Sequence, residues 1–192
     1  MNPTPSSINT PDPQHETSLA HFPVALFSTV MGIAGLALAW QKAAQVLAWS
    51  GLVGQGLAVL AGLVFLVVAG FYGVKLFRHP AAARAEAAHP VKMNFVPAIS
   101  IGILLLATAW SRMAPDVASW MWGVGAALHL VFTLRTMSAW IHHTHFEIQH
   151  LNPAWFIPVV GNIIVPLAGV RFAPAEVSWF FFSIGLVFWI VL

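Results

Sequence analysis

The chain has 192 residues, of which 59% are hydrophobic and only 7% are charged, and its formal net charge is +2. A soluble domain carries about a quarter charged residues, so this composition leaves too little polar surface to cover a globule in water. It therefore excludes an ordinary soluble domain and predicts a membrane protein. The absence of cysteine excludes disulfides, thiolate metal sites and thiol catalysis, and the scattered basic residues do not indicate nucleic-acid binding.

The first segment, residues 1–20, is polar and contains four prolines but no Lys or Arg. A signal peptide needs a basic start before its apolar run, so this segment is predicted to be a disordered cytoplasmic tail. Residues 21–192 form the predicted transmembrane domain, in which apolar windows without charged residues recur. A helix needs about 20 residues to cross the hydrocarbon. Five windows suit full spans: 22–41, about 50–74, 93–111, 117–134 and 151–170.

The sixth apolar window, residues 177–192, is shorter than a full span. We expect a helix that is cut before its end, as in a fragment or a truncated product. The predicted fold class is an all-α polytopic membrane protein with about six transmembrane helices, paired as hairpins.

The distribution of basic residues predicts the orientation of the chain in the membrane. Four of them, Lys75, Arg78, Arg84 and Lys92, fall in the connection between the second and third windows, against one in each neighbouring loop. Basic loops stay in the cytoplasm. The N-terminus is therefore predicted to be cytoplasmic, in an inner (plasma) membrane.

Prolines mark the odd-numbered windows, whereas windows two and four contain none in their interiors. An interior proline removes a backbone donor, and in a membrane the freed carbonyl must face protein or a water-filled cavity. Pro97, Pro158 and Pro166 are expected to free the carbonyls of Met93, Ala154 and Asn162. At about 100° per residue, two faces result: Pro97, Ser100, Ile101, Leu104 and Thr108 in the third window, and Pro158, Asn162, Val165, Pro166 and Gly169 in the fifth.

Two interpretations of these faces stay open. The prolines produce kinks for helix packing, or the odd helices form an inner layer around a polar path with the even helices outside against lipid. The first window begins with Pro23 and carries small residues at helical spacing, Ser28, Gly32, Gly35 and Ala39. Such a stripe predicts close helix packing.

Ionisable residues offer weaker hypotheses. His129 lies inside the fourth window, where we expect a neutral histidine bonded to a neighbouring helix; the alternative, a haem ligand, needs a second histidine at similar depth, and no other window has one. The cluster of His142, His143, His145, Glu147 and His150 is predicted to be a solvated loop rather than a zinc site. Arg135 is expected to reach the cytoplasmic interface.

Catalysis is not expected. Asp116, Glu147 and Glu176 are predicted to lie in loops, and no nucleophile is paired with a base. We therefore predict no enzyme activity, no cofactor and no metal.

The stretch "NPAWFIPVVGNIIVPLAG" at 152–169 resembles the signature of the tellurite-resistance/C4-dicarboxylate transporter family, relatives of the plant slow anion channels. Residues 21–40 and 94–107 are similar to its first and third helices. The resemblance implies ten transmembrane helices with both termini cytoplasmic, a trimer, and one pore per subunit inside five proline-kinked odd helices. It implies that Pro23, Pro97 and Pro158 are the kinks and that Phe27 faces the pore. Helices seven to ten, including the ninth with its pore-blocking phenylalanine, are absent from this chain.

The leading functional hypothesis is therefore an anion channel or transporter with a neutral pore. Its expected substrates are malate-like C4-dicarboxylates, tellurite-related oxyanions or small inorganic anions, and its expected partners are membrane lipid and two further copies in a homotrimer. The alternatives are a membrane haem or redox subunit using His129, and a non-conducting truncated remnant.

Overall fold

A computed structural model of the chain describes residues 19–142 and 153–192. The tail predicted for residues 1–20 lies outside this range except for its last two residues. The described part consists of helices and the turns between them, with no strand. The α-helices are α1 (Phe27–Val46), α2 (Leu52–Arg78), α3 (Pro80–Ala88), α4 (Ala98–Trp110), α5 (Pro115–His142), α6 (Phe156–Val160), α7 (Pro166–Phe172) and α8 (Ala175–Val191). Short 3₁₀ helices occupy Val24–Leu26, Lys92–Phe95, Pro153–Trp155 and Gly161–Ile164.

Five segments are long and apolar enough to cross a membrane, and their positions follow the five predicted windows. These first to fifth spans are Val24–Val46, Leu52–Arg78, Lys92–Trp110, Pro115–His142 and Pro153–Phe172. The shorter apolar helix α8 follows them. The chain is thus an all-helical, multi-pass membrane protein.

The helices pack as neighbouring antiparallel pairs. Helix α1 contacts α2 along its length, α4 contacts α5, and α6 and α7 contact α8. Helix α4 also contacts α1 and the fifth span, so it lies between them. Consequently the third and fifth spans bury a larger share of their residues than the second and fourth, whereas the first span keeps one side exposed.

Small residues allow the fifth span and α8 to approach closely. A Cβ atom on Gly185 of α8 would lie 2.5 Å from Ile163 Cγ1 and 2.9 Å from the Ile163 backbone nitrogen. A larger residue at 185 would therefore separate the two helices. In a membrane, where apolar burial does not distinguish protein from lipid, such close packing is a main source of helix association.

The connection between the second and third windows is more ordered than the sequence predicts. Helix α2 continues through Lys75 to Arg78, and α3 follows at once. Lys75 is not in a solvated loop: its Nζ lies 2.7 Å from Glu86 Oε2, and the two side chains are 3% and 7% exposed. The buried carboxylate of α3 keeps this cation inside the protein.

Two acidic residues that were predicted to lie in loops are part of helices instead. Asp116 and Glu176 lie in the first turns of α5 and α8, where a carboxylate offsets the positive end of the helix dipole. Helix α5 runs eight residues beyond its window, to His142, so Arg135 is inside a helix. The rest of the predicted histidine cluster, residues 143–150, lies outside the described residues.

Candidate functional site

Two of the prolines begin helices rather than interrupt them. Pro97 is the N-cap residue of α4 and Pro166 is the first residue of α7, positions where the missing N–H has no intrahelical partner to lose. Before each proline the chain winds as a 3₁₀ helix: the Val96 N–H donates to the Met93 carbonyl, and the Val165 N–H to the Asn162 carbonyl, each at 3.2 Å. The prediction that these two carbonyls are freed is therefore wrong, because tighter winding supplies the donor.

Around the third proline, Pro158, side chains donate to the carbonyls of Pro158 itself and of Val159. The Thr133 hydroxyl of α5 lies 2.7 Å from the Pro158 carbonyl oxygen and accepts the Asn162 Nδ2–H at 3.1 Å. Asn162 also donates to the Val159 carbonyl at 2.8 Å and is 0% exposed. The polar side of the fifth span thus faces α5 and not lipid.

His129 of α5 extends this buried polar cluster to α4. Its Nδ1 lies 3.0 Å from Ser100 Oγ, which itself lies 2.8 Å from the Pro97 carbonyl oxygen. A hydroxyl carries one hydrogen, so when Ser100 donates to Pro97 it accepts the Nδ1–H of His129. This bond to a neighbouring helix agrees with the interpretation of His129 as a neutral structural histidine.

Gly161 belongs to the same cluster and was not singled out by the sequence. A Cβ atom there would lie 2.6 Å from Ile101 Cδ1 and 2.7 Å from His129 Cε1. Only glycine lets the fifth span lie this close to the imidazole ring. Its position between Pro158 and Asn162, within a segment rich in backbone breaks, is the signal that could have identified it.

The residues predicted to line a path occupy three environments. The Thr108 hydroxyl donates to the Leu104 carbonyl of its own helix at 2.8 Å. Gly169 contacts Ser178 and Trp122, and the Trp122 Nε1–H donates to the Val165 carbonyl at 2.9 Å. Thr108 and Pro166 are partly exposed, and Pro23 is exposed. The other predicted residues are buried in contacts between helices: Pro97, Ser100, Leu104, Pro158, Asn162, Val165 and Gly169.

The expectation that Phe27 faces a pore is corrected by its environment. Its side chain is 1% exposed. The ring stands edge-on to Phe65 and Tyr72 of α2, with both centroid distances 5.8 Å. Phe27 lies on the side of α1 that also carries Val30 and Ala34, and this side packs against α2 and α4.

The other side of α1, formed by Thr29, Gly32, Leu36 and Ala39, is exposed, and we call it the open face of α1. No heavy atom of the described residues, outside the helix's own backbone, lies within 4 Å of a Cβ built on Gly32 or on Gly35 beside it. The close packing predicted for Ser28, Gly32 and Gly35 is not made within the described part of the chain. Apart from Leu36, the open face carries only small side chains, and it has no charged residue.

Comparison with known proteins identifies the family. The profile of the voltage-dependent anion channel (SLAC1) family matches residues 21–192, which is nearly the whole chain. The chain belongs to this family. The membership confirms the resemblance seen in the fifth span, since a tellurite-resistance protein homolog and plant S-type anion channels are among the relatives.

The individual relatives in the SLAC1 family have low sequence identity to this chain and are longer than it. The tellurite resistance protein TehA homolog of Haemophilus influenzae is 26% identical over 171 residues, covering 88% of this chain and 52% of the relative. The S-type anion channel SLAH3 of Arabidopsis thaliana is 25% identical over 184 residues, covering 91% of this chain and 28% of the relative. The chain thus spans about half, or less, of the length of these curated relatives.

Proposed function

We propose that this SLAC1-family chain belongs to a membrane channel or transporter that passes anions. Its family membership and five apolar spans support this function. The names of the similar proteins, tellurite resistance protein and S-type anion channel, suggest tellurite-related oxyanions or small inorganic anions as substrates. The resemblance of residues 152–169 to the tellurite-resistance/C4-dicarboxylate transporter family adds malate-like C4-dicarboxylates. The proposal includes no catalytic step.

The open face of α1 is the observation that carries the proposed path. Helix α4 is enclosed by α1, α5 and the fifth span, whereas α1 leaves one side of uncharged residues, small except for Leu36, without a neighbour in the described chain. We place the path along this face. A neutral path selects anions by its width and by the dipoles of helix ends and carbonyls more than by fixed charge.

The assembly and its placement complete the proposal. The functional unit is a homotrimer in the inner (plasma) membrane with its N-terminus in the cytoplasm. Three exposed basic residues support this orientation: Arg78 at the end of α2, Arg84 in the middle of α3 and Lys92 in the turn before α4.

Flux measurements test the function. Liposomes containing the full-length protein are expected to take up malate, nitrate or chloride faster than protein-free liposomes. Leu36→Trp on the open face is expected to reduce this flux about tenfold or more because the indole blocks a narrow path, an effect of more than about 1.4 kcal/mol. Val67→Trp, on an exposed side of α2, is the matched control and is expected to leave flux unchanged. Flux no higher than in empty liposomes would exclude the function; equal flux in both variants would exclude this path only.

A further inference from the structure

A cavity of about 220 Å³ lies between the start of the third span and α5, outside the polar cluster described above. Its walls are largely apolar, formed by Met93, Val96, Phe132 and Ala139. Two polar side chains of α5, Arg135 and Thr136, also line it. The cavity therefore combines an apolar wall with a cation and a hydroxyl.

The two polar groups of this cavity are not engaged elsewhere in the described residues. The Thr136 residue is only 4% exposed, and its hydroxyl makes no hydrogen bond to any described residue. Arg135 is exposed and forms no ion pair within the same ranges. The Thr136 oxygen is not among the fully buried side-chain atoms without a partner, so it is accessible from the cavity. A ligand that accepts its hydrogen can therefore reach it.

The local charge favours an anionic ligand. Glu86, beside the cavity-lining Ala87, is already bound to Lys75 and to the Val24 N–H. The other acidic side chains of the described ranges, Asp116 and Glu176, lie at the opposite ends of the helix pairs, in the first turns of α5 and α8. Arg135 therefore gives the cavity a net positive charge that no described carboxylate cancels.

The depth of Arg135 in the membrane indicates which kind of anionic ligand the cavity would bind. It lies seven residues before the end of α5, which is about 10 Å along the helix axis. This is the end of the bundle that carries Arg78, Arg84 and Lys92. A long cationic side chain near such an end reaches the headgroup region, and the cytoplasmic leaflet is the one rich in anionic lipids.

We propose that this cavity binds an anionic phospholipid of the leaflet at the basic end of the bundle. Arg135 and Thr136 donate to the phosphate oxygens, and the apolar wall contacts the glycerol and the first methylenes of the acyl chains. An inorganic anion would use the two donors but would leave the apolar wall without a partner. The lipid also contacts Pro97, so its binding stabilises the start of the third span.

Lipid titration of the full-length protein in neutral detergent tests the proposal without any flux measurement. Phosphatidylglycerol is expected to raise the midpoint of thermal denaturation and to remain bound in native mass spectrometry, whereas phosphatidylcholine does so weakly. Arg135→Gln is expected to weaken the apparent affinity for phosphatidylglycerol about tenfold, since a charge-assisted hydrogen bond is lost. Thr136→Val keeps the shape of the residue and is expected to weaken it several-fold.

Matched controls separate the site from general charge and folding effects. Arg84→Gln removes an exposed arginine of the same end that does not line the cavity, and it is expected to bind phosphatidylglycerol as the unmodified protein does. Arg135→Lys is expected to keep part of the affinity. Variants are compared only where size-exclusion profiles match. Unchanged binding in both Arg135→Gln and Thr136→Val would overturn the site, and an equal shift with inorganic phosphate would replace the lipid by a free oxyanion.

Discussion

At the scale of single residues, close approach between the fourth and fifth spans depends on one missing side chain. Gly161 faces the His129 ring, which hydrogen-bonds to Ser100 and is therefore not free to turn away. Position 161 does not accommodate a larger residue, because the His129 ring, and not only the flexible end of Ile101, occupies the space that a Cβ atom would take.

Gly161→Ala is expected to lower the stability by about 1–3 kcal/mol, because the added methyl overpacks a filled interface. Thermal denaturation of the full-length protein in detergent measures the change. Gly70→Ala is the matched control, since its Cβ position in α2 has no atom within 4 Å among the described residues. Equal denaturation midpoints for the two variants would contradict the packing seen at Gly161.

At the scale of elements, a buried ion pair joins three segments at one end of the bundle. Lys75 of α2 donates to the Phe22 carbonyl and to Glu86 of α3, both at 2.7 Å. Glu86 accepts the Val24 N–H at 2.9 Å, which supplies an acceptor to the first turn of the first span. The N-terminus of the first span is thus held by a carboxylate 62 residues away.

Glu86→Gln is expected to destabilise the protein by about 3–5 kcal/mol, because Lys75 stays buried without its counter-charge. The double variant Lys75→Met with Glu86→Gln removes both charges and is expected to recover much of this loss. Chemical denaturation in detergent compares them, with the exposed Arg84→Gln as the control. A double variant no more stable than Glu86→Gln alone would show that the ion pair is not the cause.

The proline breaks also belong to the element scale, and their positions predict unequal effects. Pro166 begins α7, where an alanine fits the same backbone, so Pro166→Ala is expected to change stability by less than about 1 kcal/mol. Thr133→Val removes the hydroxyl that bonds to the Pro158 carbonyl and to Asn162, and is expected to cost about 1–3 kcal/mol. Thermal denaturation of the two variants tests this order, and the reverse order would contradict it.

At the scale of the whole molecule, the proposed path requires that water reaches the open face of α1. Residues 1–192 contain no cysteine, so a single cysteine introduced among them is the only thiol in this part of the protein. Thr29→Cys and Leu36→Cys are expected to react with a charged, water-soluble thiol reagent, because the proposed path is wet. Val67→Cys on an exposed side of α2 and Ser100→Cys in the buried cluster are expected to stay unreactive. Reaction at 36 no faster than at 67 would place lipid, not water, on the open face.

The membrane class and the five spans could be predicted from the sequence because they depend on local composition. The third span was predicted at 93–111 and lies at Lys92–Trp110. The second was predicted to begin near residue 50 and begins at Leu52. The fourth was predicted too short, since the helix continues past the charge of Arg135, which apolar windows exclude.

The sequence by itself determined where the backbone has to break, since a proline lacks its N–H wherever the helices lie. Only the tertiary structure decided what bonds to the backbone near each proline: a 3₁₀ turn before Pro97 and Pro166, and the side chains of Thr133 and Asn162 on the carbonyls of Pro158 and Val159. It also decided that Phe27 faces α2 and that Lys75 is buried against Glu86. These outcomes depend on contacts between distant segments, and no local pattern of apolar residues specifies which neighbour a helix side will meet.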